Sequence, residues 1–387
     1  MVEWKKLGYL LDYEQPTSYL VNSTEYDESY NVPVLTAGQS LVLGYTNETE
    51  GIYQASKENP TIIFDDFTTS FHWIDYKFKV KSSAMKMLRP KKDVNFRYVY
   101  YAMLGINFVP GGHQRHWISK YSNFEIPIPS LSEQQRIVSI LDTFTSSISN
   151  LKQQIEERRK QYEYERDLLL DLEGKEGVEM KKLGEICDTL SGFPFDSSQF
   201  SETGIRLMRG MNVKRGYFDF SKENNKYWLC SEGLEKYLLE SNDIIISMDG
   251  SLVGRSFCYL TKEHLPLLLV QRVARIRTKE NSKYIYFYIS QKFPDYVDKK
   301  KTAGAIPHIS MKDINSFVIP LPSKTTQSRI VSILDTFEQS IANLEEQLAM
   351  REKQYEYYRN QLLTFEGEEE RGKTWRGKEK LGRDRQS

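Results

Sequence analysis

FEIPIPSLSEQQRIVSILDTF, Phe124 to Phe144, returns 193 residues later as FVIPLPSKTTQSRIVSILDTF, Phe317 to Phe337. The echo continues at the same offset. RKQYEYERDLLLDLEG (159–174) returns as EKQYEYYRNQLLTFEG (352–367), and 31 of the 51 positions from Phe124 to Gly174 equal their partners. A second marker, WKKLG (4–8), returns as MKKLG (180–184) at the shorter offset of 176. The chain is therefore one unit written twice, with extra length in the second globular part. Between the markers, residues 9–123 and 185–316 share no obvious run. The parts kept alike are helical and the parts that differ are globular, the pattern either of globular surfaces that drift faster than packed helices or of one frame carrying two different binding surfaces.

Spacings of four and three pick out Ile137, Leu141, Phe144, Ile148, Leu151 and Tyr162 in the first copy. In the second they pick out Ile330, Leu334, Phe337, Ile341, Leu344 and Tyr355. A heptad stripe sustained over more than four heptads predicts a coiled coil. Pro127 and Pro129 keep the helix from starting earlier, Ser132 with Gln135 reads as a capping box, and Gly174 and Gly367 read as stops. Each helix of about 40 residues is about 60 Å long and needs a partner for its apolar face. The other copy lies in the same chain, so an antiparallel pairing is expected, with one globular domain at each end of the rod. Arg158 and Arg351 interrupt the stripe at equivalent positions, either fixing register or reaching to solvent. The fold class is α+β: two mixed α/β domains separated by an antiparallel coiled coil of two long helices, with an internal pseudo-twofold repeat. The expected boundaries are 1–130 and 175–323 for the globular domains, 131–174 and 324–367 for the helices, and 368–387 for a charged tail. That tail is either a frayed end or the remnant of a third unit.

Within the globular parts TIIFDDF, HWIDYKFKVKSSAMKML, NDIIISMDG and LLLVQRVARIRT read as strands, and VNFRYVYYAML and NSKYIYFYISQKF as helices. The chain has 387 residues, 53 basic and 53 acidic, so net charge is zero. That argues against a free-standing DNA binder but not against a subunit whose partners share the phosphate contacts. Basic residues nevertheless cluster. Eight lie between Lys77 and Arg97 beside one acid, others in RLMRGMNVKRGYF, at Arg272, Arg275 and Arg277 read along one strand face, and at Lys299 to Lys301. Interleaved Tyr, Asn and Gly suit phosphate and base-edge contacts. Glycine-bearing loops, PGGHQRHWIS (110–119) and TAGAIPHISMKDI (302–314), precede the two long helices. The DNA-contact candidates are Lys77, Lys79, Lys81, Gln114 and Arg115 in the first part, and Arg206, Arg209, Asn212, Lys214, Arg215 and Arg255 in the second.

Three irregularly spaced cysteines and no CxxC indicate a reducing compartment without disulfides or structural zinc. His113 and His116 have no third ligand nearby, so no metal is expected. No signal peptide or membrane span is legible, which predicts a cytoplasmic protein. Phosphate-binding glycine loops, HExxH and an Asn-Pro-Pro-aromatic tetrad are absent, and no catalytic residues or cofactor are expected.

The opening WKKLG, IPIPSLSEQQRIVSILDTF with its echo, TTSFHWIDYKFKVKSSAMKML, and the set SGFPFDSSQF, RLMRGMNVKRGYF, SNDIIISMDGSLVGR and GAIPHISMKDINSFVIPLPS together resemble the specificity subunit of a type I restriction–modification system, over about residues 3 to 367. The resemblance implies two target-recognition domains, each reading half of a split double-stranded DNA sequence, with the paired helices as a ruler for the unread spacer. It also implies two modification subunits carrying S-adenosylmethionine, restriction subunits that translocate and cut, and no chemistry by this chain. The competing reading is a coiled-coil scaffold joining two protein-binding domains.

Overall fold

The computed structural model describes residues 2–36, 41–91, 94–111, 114–300 and 307–365. The chain forms two compact units, Met1–Lys152 with Glu346–Ser387, and Gln153–Glu345. Each unit therefore combines one globular part with about half of each long helix.

The first unit contains β1 (Glu3–Lys6), α1 (Leu7–Leu10), β2 (Leu11–Glu14), β3 (Val32–Leu35), β4 (Val42–Thr46), β5 (Thr61–Asp65), β6 (Phe71–Ile74), β7 (Lys79–Val80), β8 (Met85–Pro90), α2 (Phe96–Met103) and β9 (Glu125–Ile128), followed by the long helix α3 (Leu131–Leu170). The strands form a four-stranded sheet in the order β2-β8-β5-β6, a three-stranded sheet β4-β3-β7 and a pair β1-β9. The alternation of β5 explains the layering. Ile62 and Phe64 face the core shared with α2 and α3, whereas Ile63 faces the core lined by Leu35, Phe78 and Val80. Each such side chain, fully removed from water, contributes about 1.5–3 kcal/mol.

The second unit repeats this plan with globular strands of unlike sequence. Its elements are β10 (Glu179–Lys182), α4 (Leu183–Ile186), β11 (Cys187–Ser191), β12 (Ile205–Met208), β13 (Tyr227–Trp228), β14 (Ile244–Ser247), β15 (Phe257–Tyr259), β16 (Leu267–Leu269), β17 (Val273–Thr278), α5 (Ser282–Lys300), α6 (Met311–Asn315), β18 (Val318–Leu321) and the long helix α7 (Lys324–Leu362). The sheets are β11-β17-β14-β15, β13-β12-β16 and β10-β18, strand for strand the orders of the first unit. Ile244 and Ile246 face α5 and the long helices, while Ile245 faces the other way onto Met208 and Leu267. A polar lock is also duplicated. Asn95 and Asn281 cap α2 and α5, and their backbone amides donate to Gln134 Oε1 and Gln327 Oε1, each at 3.1 Å. Tyr98 and Tyr284 donate to the carbonyls of Pro127 and Pro320 at 2.8 and 2.6 Å.

The long helices run antiparallel within each unit. In the first, Phe144 packs on Tyr355 at 6.5 Å and Lys152 pairs with Glu352 at 3.0 Å. In the second, Tyr162 packs on Phe337 at 6.4 Å and Arg159 pairs with Glu345. The stripe is not a uniform coiled-coil seam. Ile137, Leu141, Ile330 and Leu334 are fully buried in the globular cores, whereas Ile148, Leu151, Ile341 and Leu344 are half-buried. Arg158 and Arg351 lie half-buried with their guanidinium groups over Phe337 and Phe144 at 5.8 and 5.7 Å. They are thus fixed on the seam by cation–π contact rather than extended into water.

Three local expectations are corrected. α3 is capped by Ser130, whose Oγ accepts the Glu133 amide at 3.3 Å, rather than by Ser132; Ser323 does the same for Thr326 in α7. The helix can begin one residue after Ser130 because Pro129 lies outside it. LLLVQRVARIRT forms two strands in two different sheets, divided by a turn in which Arg272 has φ +75°. Arg272 consequently leaves the face of Arg275 and Arg277, from which a spacing of three would separate it in any strand. Gly174, at φ +73°, lies in the turn after α3 has already ended at Leu170; Gly367 and the tail lie outside the described residues.

Candidate nucleic-acid interface

In the second unit three segments meet at one end of the four-stranded sheet. The turn between β14 and β15 is held by the Ile309 amide, which donates to the Met248 carbonyl at 2.9 Å, and by the Gly250 amide, which donates to the Pro307 carbonyl at 3.1 Å. On its other side Gly254 has φ +80°, and a Cβ placed there would lie 2.6 Å from Val297 Cβ. Arg255 grips Asp298 of α5 through both guanidinium nitrogens, at 3.2 and 2.7 Å. The loop Arg209–Tyr217 lies against this turn. The Gly216 amide donates to the Phe257 carbonyl at 3.1 Å, and a Cβ at Gly210 would stand 3.1 Å from Ser247 Oγ. This framework leaves Met211, Arg215, Tyr217 and Leu252 exposed. A cation, an aromatic ring and two apolar side chains on pinned loops can meet phosphate, sugar and base edges.

The first unit builds the equivalent place from different residues. Asp66, buried, organises it. Its amide donates to Ala84 O at 3.0 Å, its carbonyl accepts from His116 at 2.8 Å, and its Oδ1 accepts the Trp117 amide at 2.8 Å. Lys86, equally buried, sits 3.1 Å from the other carboxylate oxygen. Asp65 fixes the turn by accepting the amides of Phe67 and Thr68, both at 2.8 Å. Exposed Gln114 and Arg115 immediately precede the His116–Trp117 anchor, and Lys81 emerges from the adjoining end of β7 with its amide on Leu35 O at 3.0 Å. The structure thus places Gln114 and Arg115 beside the β5–β6 turn, whereas Lys81 lies with its ammonium 6.0 Å from the centre of the Tyr26 ring.

Other expected contact residues are placed elsewhere. Lys77 is exposed but lies before β7, at the end opposite Lys81. Lys79 is only 2% exposed, with its ammonium 2.8 Å from Glu48 and 2.6 Å from the Glu50 carbonyl, so it is a structural cation. Asn212 is wholly buried: its amide nitrogen donates to the carbonyls of Asp219 and Asn224 at 2.9 and 3.0 Å, leaving nothing to offer a base. Arg206 stacks half-buried over Phe220 at 4.5 Å. Arg209 donates to Asn224 O at 2.7 Å, and burial lowers its pKa. Lys214 is 3.7 Å from Asp219, and Arg255 is committed to Asp298. The basic run from Lys77 to Arg97 is largely neutralised in the same way. Arg89 pairs with Glu14, Lys91 with Asp12 and Arg97 with Asp142. Arg275 pairs with Asp188, and Arg277 with Asp243 and Glu240.

Arg115, Arg215, Lys299 and Lys300 remain exposed. Met211, Tyr217, Leu252 and Phe67 are exposed at these turns and were not among the expected contact residues; for the first three the available signal was the glycine bracketing in RGMNVKRGYF and DGSLVGR, and for Phe67 there was none. Among the described residues no group of three His, Cys, Asp or Glu is placed to hold a metal ion. His116 is buried with neither ring nitrogen hydrogen-bonded, and His113 lies outside the described residues. Among the described residues no helix is long and apolar enough to cross a membrane.

Comparison with known proteins gives this architecture a family. The model of the type I restriction modification DNA specificity domain matches twice, over residues 1–158 and 175–350. The type I restriction enzyme EcoR124I/EcoR124II specificity subunit of Escherichia coli is 41% identical over 390 residues, covering 94% of each chain. A putative type I restriction enzyme specificity subunit of Haemophilus influenzae is 28% identical, covering 94% of this chain and 96% of the other. The crystal structure of the type I restriction–modification S subunit from M. genitalium superposes with a TM-score of 0.64 at 16% identity, over 94% of this chain and 96% of that one, a likeness of fold. The scaffold alternative is thereby set aside: the chain belongs to the DNA specificity subunits of type I restriction–modification systems, and its two units are target-recognition domains.

Proposed function

We propose that each unit reads one half of a bipartite double-stranded DNA target and that α3 and α7 set the length of the unread spacer. The observation that carries this reading is the pairing of identical topology with unrelated surfaces: the same strand orders present Lys81, Gln114, Arg115 and Phe67 in one unit and Met211, Arg215, Tyr217 and Leu252 in the other. One fold offering two unlike contact sets is suited to two unlike half-sites.

In this reading the chain does no chemistry. Two modification subunits, carrying S-adenosylmethionine, dock on the helices, and restriction subunits join them, in the cytoplasm. The zero net charge supports shared DNA contact, because 53 acids match the 53 cations and leave no basic excess to neutralise phosphate. Replacing residues 185–316 by the corresponding segment of a related subunit and mapping methylated sites in a host that also carries the partner subunits tests the proposal. The expected result is a new second half-site with the first half-site and spacer unchanged; unchanged recognition of both halves overturns it.

A further inference from the structure

The helix seam carries a sign reversal that its apolar residues do not. The offset of 193 places Lys152 on Glu345 and Arg159 on Glu352. The structure pairs Lys152 with Glu352 at 3.0 Å in the first unit and Arg159 with Glu345 at 2.5 Å in the second. The two ion pairs are images of one another under the repeat, with the charges exchanged. Phe144, Leu151, Arg158 and Tyr162 are identical to their images Phe337, Leu344, Arg351 and Tyr355. Within the helices the stripe differs only at Ile155 against Leu348 and at Glu165 against Tyr358, which stacks on Phe144, so the apolar seam distinguishes α3 from α7 weakly and a helix of one copy of the chain could pair with the like helix of another. In the same antiparallel register, α3 against α3 would set Lys152 against Arg159 twice. α7 against α7 would set Glu345 against Glu352 twice.

We infer that these four charges form a pairing code that directs α3 to an α7-type helix and rejects like-with-like pairing between copies. All four side chains are about half exposed, so each pair is individually weak. Replacing two attractions by two repulsions nevertheless amounts to roughly ten- to a hundredfold in the pairing equilibrium, the scale on which flanking charges select coiled-coil partners. Exposure also makes the preference sensitive to salt.

The test uses the full-length chain in three variants: E345K with E352R, which gives α7 the signs of α3; K152E with R159E, which gives α3 the signs of α7; and all four substitutions together. Each two-site variant is expected to lose a few degrees in thermal midpoint at low salt, with most of the loss abolished at 1 M salt. Mixing the two is expected to produce a two-chain species by light scattering, because basic helices of one match acidic helices of the other. The four-site variant is expected to regain the parental midpoint and remain a single chain. A merely local structural role for these residues would not be rescued by reversing every sign. Failure of the four-site variant to recover, or two-site variants indistinguishable from the parent, overturns the inference.

Discussion

Gly254→Ala isolates the contact that pins the β14–β15 turn to α5. At φ +80° an L-residue costs about 1–2 kcal/mol. The added methyl would also lie 2.6, 2.7 and 2.9 Å from the Cβ, Cγ1 and Cγ2 of Val297, which is fully buried and branched at Cβ, so it has little freedom to swing away. Overpacking of this kind costs about 1–3 kcal/mol, giving a total of about 2–5 kcal/mol. Val297→Ala alone removes two buried methyl groups, about 1.5–3 kcal/mol. In the double variant the contacts with Cγ1 and Cγ2 disappear, whereas the 2.6 Å contact with Cβ, which alanine keeps, must be relieved by a small shift of the turn into the vacated space. The double variant should therefore cost about 1–2 kcal/mol less than the sum of the single variants. The φ penalty remains, so it stays below the parent. Equilibrium urea unfolding measures these values, with hydrogen exchange on peptides from 244–259 and 282–300 assigning the transition to the second unit. Additivity within about 0.5 kcal/mol would refute the claim that Gly254 exists to let the turn approach α5. The same variant provides a functional readout: displacement of the turn should relax the second half-site and leave the first intact.

The uneven burial of the heptad stripe predicts uneven costs. Leu334→Ala, fully buried against the second globular core, should destabilise by about 2–5 kcal/mol, and Leu344→Ala, half-buried between helices, by about half as much; equal losses in urea unfolding would contradict the division of the stripe. The Lys79–Glu48 pair predicts acid sensitivity of the first unit. Burial favours the neutral form of Glu48, but hydrogen bonding from Lys79 and from the Ser23 and Asn22 amides outweighs it and lowers the carboxyl to about 2. A depressed folded-state value means that this stability is complete above about pH 4.5 and is lost as pH falls toward 2. In K79M with E48Q, which leaves no buried charge unpaired, that component of the pH dependence should vanish from urea midpoints measured between pH 5 and 2.

The helices were legible because a period and a repeat are local signals; the spacing of Ile137, Leu141, Phe144 and Tyr162 needs no knowledge of what they touch. The shared topology of the globular parts was not legible. β2 pairs with β8 and β11 with β17, partners more than seventy residues apart, and the requirement each position imposes is only an apolar residue on the correct face. Ile62–Ile63–Phe64 and Ile244–Ile245–Ile246 satisfy that requirement without resembling each other in context. The polar lock was legible only in pieces: Gln134 and Gln327 are visibly repeated, and NFRYVY (95–100) returns as NSKYIY (281–286) at an offset of 186, but nothing in either motif says that the glutamine holds the asparagine. Counting cations misled most. Lys79, Lys86, Arg275 and Arg277 look like a DNA footprint along the chain, yet long-range acids consume them, and no local pattern distinguishes a paired lysine from a free one.

Identity between the two helices has more than one cause, and solvent exposure separates them. Ile137, Leu141, Phe144 and Leu151 match their images because the cores and the seam demand it. A second stripe at spacings of four and three, 136, 140, 143, 147, 150, 154, 157, 161 and 164, is exposed or half-exposed and matches its image at eight of nine positions, failing only at Glu157 and Met350. On the flanking face, 145, 149, 152, 156 and 159 differ at all five. Folding alone constrains an exposed Asn150 or Tyr164 no more than an exposed Glu156, since substitutions at such sites change stability by only about 0.5 kcal/mol. A requirement external to the fold must preserve the one face while the other diverges. Two copies of the same partner, each resting on one helix as proposed above, would impose that requirement, and the divergent face is the one in which the inferred pairing code needs Lys152 and Arg159 to differ from Glu345 and Glu352.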